Sequence, residues 1–68
     1  MFMPRTLEEL ATMLAKRDGA TYEEEMAAIR DTAAEMEEAF FEGNLDLAEN
    51  ILMDNLNLEP EFLDLFIF

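Results

Sequence analysis

The stretch TYEEEMAAIRDTAAEMEEAFFEG, residues 21–43, decides the fold. It contains no proline, and its one glycine is its last residue. Tyr22, Met26, Ile29, Ala33, Met36 and Phe40 recur at alternating steps of four and three, which is the seam of a heptad helix. Thr21 and Glu24 stand at capping-box spacing. Glu23, Glu24 and Glu25 fill the first turn, where the helix dipole favours negative charge. Gly43 ends the pattern. The spacing predicts a helix over 22–42 that acts as the spine of the molecule.

On the N-terminal side, Thr6 and Glu9 form a second capping box ahead of Leu7, Leu10, Ala11 and Leu14, an apolar face at helical spacing. Lys16 and Arg17 occupy the last turn, where cations are favoured, and Gly19 supplies a left-handed stop. This predicts a helix over 7–17. On the C-terminal side, Asn44 caps a third helix whose apolar face is Leu45, Ala48, Ile51, Leu52 and Leu56. Pro60 cannot continue that helix but suits the first turn of another, expected over 60–67. No strand alternation, internal repeat or low-complexity linker interrupts this pattern. The fold class is therefore all-α, a small up-down bundle of three helices plus a short C-terminal fourth helix, as one domain over 1–68. The expected core is Leu7, Leu10, Leu14, Met26, Ile29, Met36, Phe40, Leu45, Ala48, Ile51, Leu52, Leu56, Phe62, Leu65 and Phe66.

Composition narrows the function. The 68 residues include neither cysteine nor histidine. Thiol chemistry, zinc fingers and imidazole general bases are excluded. Seventeen acidic residues against four basic ones give a net charge of -13, which disfavours nucleic acid or an anionic membrane as a direct partner. At 51% hydrophobic the chain is too apolar for an acidic disordered tail. No twelve-residue calcium loop, phosphate-cradling glycine loop or activated nucleophile is present, so no enzyme, metal or cofactor is expected. Glu8 and Glu9 follow the first residues where a secretory leader would need an apolar run, and a cytoplasmic location is expected. Six methionines and six phenylalanines in so short a chain predict a homo-oligomer.

Two short segments resemble known families. Gly43, Ala48, Leu52 and Pro60 fall at the spacings of the second half of a tetratricopeptide repeat. Its first half is not matched, because Thr32, Glu35, Met36 and Ala39 stand where that family has tryptophan, leucine, glycine and tyrosine. A helical hairpin with a small residue at the close approach explains the same residues. Leu63, Asp64, Leu65 and Phe66 are similar to the clamp-binding peptide of bacterial replication proteins, with Phe62 in place of its glutamine. That resemblance implies apolar anchors, Leu63, Leu65 and Phe66, docking in a partner's pocket.

The charge pattern carries the main functional expectation. All four basic residues lie in the first thirty positions, and eleven carboxylates follow Arg30 without a cation. Glu24, Asp31, Glu35, Glu38 and Glu42 lie on one side of the central helix, where like charges at these spacings destabilise it by about 0.2–0.5 kcal/mol per pair. A face kept only for solubility would mix signs. The expected function is a small adaptor or inhibitor whose acidic helical face engages a basic surface on another protein, in the style of short phage or mobile-element products. The alternatives are a nucleic-acid mimic, with carboxylates standing in for phosphates, and a purely structural oligomerisation module.

Overall fold

The computed structural model describes residues 4–67. Three α-helices follow one another, α1 (Leu7–Asp18), α2 (Tyr22–Phe41) and α3 (Leu45–Leu56), and a 3-10 helix closes the chain over Pro60–Phe66. Among the described residues there is no strand. At about 1.5 Å per residue the 20 residues of α2 span roughly 30 Å. That nearly equals the longest dimension of the molecule, 33 Å. α1 and α3 both pack on α2, and the 3-10 helix packs on α3. The spine expected from the sequence is therefore the centre of the bundle.

The helix ends follow the local chemistry. Thr6 Oγ1 accepts from the Glu9 N–H at 3.1 Å, but the Glu9 carboxylate reaches one residue further back than a capping box requires and accepts from the Arg5 N–H at 2.7 Å. The box at α2 is complete, with Glu24 N–H donating to Thr21 Oγ1 at 3.1 Å and Thr21 N–H donating to Glu24 Oε1 at 2.9 Å. α2 ends in a Schellman motif. The Asn44 N–H reaches the Ala39 carbonyl at 2.9 Å and the Gly43 N–H reaches the Phe40 carbonyl at 3.0 Å, with Gly43 at φ 73°. Asn44 then caps α3 by accepting from the Leu47 N–H at 3.1 Å. Two helices thus meet across a three-residue turn that leaves few backbone groups unpaired.

Two expectations about packing need correction. The buried row of α2 is Glu25, Ile29, Thr32, Met36 and Ala39, one residue round from the expected seam. Ile29 and Met36 are common to both, while Met26, Ala33 and Phe40 are only partly buried. The reason is that α2 is covered on two sides by α1 and α3, so the small residues Thr32 and Ala39 take the centre. Leu45, expected in the core, is 54% exposed, because the first turn of α3 projects past the Gly43 turn. The core otherwise joins Leu10, Ala11 and Leu14 of α1 to Ala48, Leu52 and Leu56 of α3, with Leu58 and Phe66 sealing the end. Ala39 and Ala48 are fully buried on the two sides of the turn, and their small side chains let α2 and α3 approach closely. The closing segment is 3-10 helix rather than α-helix. Pro60 at its start and its seven-residue length suit the tighter winding.

Candidate functional site

The acidic band lies along α2. At about 100° per residue, Glu24, Asp31, Glu35, Glu38 and Glu42 fall within a strip roughly 60° wide and about 27 Å long. All five are exposed. The strip lies roughly 110° round the helix from the buried row. It therefore flanks the packed face and does not stand opposite it. A side-chain bond confirms this placement, since Asn55 Nδ2 of α3 donates to Glu35 Oε2.

The five carboxylates are not equivalent. Glu24 is held by Thr21, whose backbone and side-chain hydrogen bonds keep its carboxyl below the ordinary range. Glu35 is tied to α3 through Asn55. Both serve the fold. Asp31, Glu38 and Glu42 accept no side-chain hydrogen bond among the described residues, and the one ion pair there, Arg17–Asp18, involves none of them. The band thus presents three uncommitted carboxylates over about three turns of a rigid helix.

The C-terminal anchors sit differently. Leu63 and Leu65 are partly buried and pack against the core, while Phe66 is 3% exposed and belongs to it. Docking this segment in a partner's pocket would require Phe66 to leave the core, at a cost of about 1.5–3 kcal/mol for an aromatic of this kind.

A second charged corner was not apparent in the sequence. Arg17 Nε and Nη2 donate to the Asp18 carboxylate at 2.8 and 3.1 Å. The same guanidinium crosses to the end of α3, with Nη2 donating to the Leu56 carbonyl at 2.8 Å and Nη1 to the Asn57 carbonyl at 3.2 Å. Asn57 is left-handed at φ 53°, which turns its carbonyl toward α1. Glu25 is buried at 7% exposure beside this corner. Burial raises its carboxyl above the ordinary range, and the adjacent Asp18 carboxylate raises it further against the pull of Arg17. Asp18 is lowered, chiefly by its hydrogen bond to Arg17. At the far end, Glu61 is raised by its hydrogen bond to Glu59. An Arg-Asp-Gly tripeptide at a helix end was the available signal. It was legible as a dipole-stabilising terminus and not as an inter-helix clamp.

An open groove of about 640 Å³ lies between α2 and the closing segment, lined by Ala33, Phe40, Leu45, Phe66 and Ile67 and flanked by Arg30 and Glu37. Among the described residues no three acidic side chains are grouped closely enough to hold a metal ion. No helix among them is long and apolar enough to cross a membrane. No protein-family profile, curated protein or solved structure matches the chain.

Proposed function

We propose that the protein is a small non-enzymatic binding module of the cytoplasm, an adaptor or inhibitor whose acidic α2 face engages a basic surface on another protein. The observation that supports this reading is the set Asp31, Glu38 and Glu42, exposed and uncommitted on the one helix that both neighbours hold in place. Asp31 with Glu35, and Glu38 with Glu42, are like-charge pairs four apart that cost the isolated helix about 0.2–0.5 kcal/mol each. Only Glu35 of these four is bonded elsewhere in the fold, to Asn55, and a cationic partner would turn the cost of the other three into attraction.

Comparative capture from a lysate of the source cell tests the reading. The bait is the wild-type chain or a variant with Asp31→Lys, Glu38→Lys and Glu42→Lys. Glu24 and Glu35 are left alone because they hold the cap and the α3 contact. A basic protein retained by the wild type and lost by the variant supports the proposal. The same set of proteins on both baits refutes it. Release of the captured protein by duplex DNA or by RNA would make the face a mimic of a nucleic-acid backbone.

A further inference from the structure

Outside the acidic band, the remaining surface of α2 is largely apolar and carries three charges, Glu23 in the first turn and the pair Arg30 and Glu37 further along. Met26, Ala33 and Phe40 form one row along it, Ala27, Ala34 and Phe41 form another, and Arg30 and Glu37 run between them. Phe41 is 92% exposed, more than any other large apolar side chain among the described residues. Ala27, Ala34, Arg30 and Glu37 are exposed, and the first row is partly buried beside the groove. Arg30 and Glu37 have no partner on their own helix. The positions three and four away from Arg30 are Met26, Ala27, Ala33 and Ala34, and those around Glu37 are Ala33, Ala34, Phe40 and Phe41. Seven residues, about 10.5 Å along the axis, separate the two charges from each other.

We infer that this face binds a second copy of itself, α2 against α2, antiparallel, about a two-fold axis level with Ala33 and Ala34. Two-fold symmetry pairs a surface with its own reverse. Reversing this one pairs its two central charges, and its large with its small apolar side chains, at a single register. Arg30 meets the partner's Glu37, and Glu37 meets the partner's Arg30. Phe41 meets the partner's Ala27, and Phe40 meets the partner's Met26. The alanines meet at the axis, where two helices must approach most closely. The midpoints of these matches all fall between residues 33 and 34, which an accidental apolar face would not supply. The same symmetry keeps both acidic bands on one side of the dimer, with Glu38 at the edge of the contact beside Ala34 and Phe41.

Sedimentation equilibrium on the full chain tests this. The wild type is expected to dimerise with a Kd on the order of 10–100 µM, as suits a small interface between highly charged copies. Phe41→Asp is expected to leave a monomer whose circular dichroism is unchanged, since Phe41 touches little in the isolated chain. Arg30→Glu and Glu37→Arg should each weaken the dimer about tenfold or more, and the double swap should bring it back to within about threefold of the wild type. Glu37→Arg decides against a general charge effect, because it reduces the net negative charge and would tighten a dimer limited only by repulsion. A wild type that stays monomeric to about 500 µM overturns the inference and leaves the face to another protein's helix. A dimer that Phe41→Asp leaves intact, or that Glu37→Arg tightens, also overturns it, because it would be using another surface.

Discussion

Replacing Arg17 by alanine removes the link between the ends of α1 and α3. Two hydrogen bonds from the guanidinium to the Leu56 and Asn57 carbonyls are lost, at 2.8 and 3.2 Å. Such bonds from a charged donor are worth about 1.5–3 kcal/mol each when sheltered. The Arg17 side chain is 38% exposed, so water replaces part of what is lost. A reduction to about 1–2 kcal/mol for the pair follows. A chain of 68 residues has a total stability of only about 3–10 kcal/mol, so the change is a sizeable fraction. At about 4–8 °C per kcal/mol for a domain of this size, the melting temperature should fall by roughly 4–16 °C. Thermal melts followed by circular dichroism, with a denaturant titration to check that the slope is unchanged, measure it. Lys16→Ala is the control, expected within about 0.5 kcal/mol of the wild type. Arg17→Lys should recover only part of the loss, because an ammonium cannot fork between Asp18 and two carbonyls. A melting temperature for Arg17→Ala within about 2 °C of the wild type would show that the clamp contributes nothing and would refute the reasoning.

Three further outcomes follow from the same geometry. Leu52→Ala opens a cavity in the centre of the core and should cost about 2–5 kcal/mol, enough to leave much of the population unfolded at 37 °C, as far-UV circular dichroism would show. Stability should rise as pH falls from neutral toward about 5, because the raised folded-state carboxyls of Glu25 and Glu61 favour the folded state on acidification. It should then decline below about 4, where the lowered Asp18 and Glu24 take up protons and their contribution is lost. Melting temperatures across this range, with Glu25→Gln flattening the rise and gaining stability at neutral pH, check both limbs. Added salt should raise the melting temperature at pH 7, since it screens eleven carboxylates that follow Arg30 without a cation. A curve unmoved by salt would mean that those charges lie too far apart to matter.

Most of the fold was legible in the sequence because caps and stops are local. Thr21 with Glu24, Gly43, and Asn44 each specify a backbone geometry that neighbouring residues cannot undo, and α2 begins and ends, and α3 begins, where those residues stand. The seam was read one residue out for a different reason. Heptad spacing locates an apolar stripe, but which side of it is buried depends on where the neighbours press. Here two neighbours close on the small side chains Thr32 and Ala39, leaving Phe40 at the groove and Phe41 in solvent. Leu58 was missed because it lies in the loop after α3 and belongs to no periodic pattern. Of the acidic band, the positions were legible and their roles were not. That Glu24 closes a cap follows from spacing, whereas the bond between Glu35 and Asn55 joins residues twenty apart in the chain and needs the packed hairpin. The Arg17 clamp reaches across about forty residues and is invisible to any local rule.

The central claim is that Asp31, Glu38 and Glu42 steer a cationic partner. Its most direct measurement is the association rate of the captured basic protein with the wild type and with the triple lysine variant, at low and at high salt. Exposed charges act mainly on encounter, so the wild-type association rate should fall steeply with salt while the dissociation rate changes little. The variant should associate at least about tenfold more slowly at low salt and show almost no salt dependence. Equal association rates for the two chains at low salt, with the variant folded, would contradict the account and leave the acidity of this face to solubility alone.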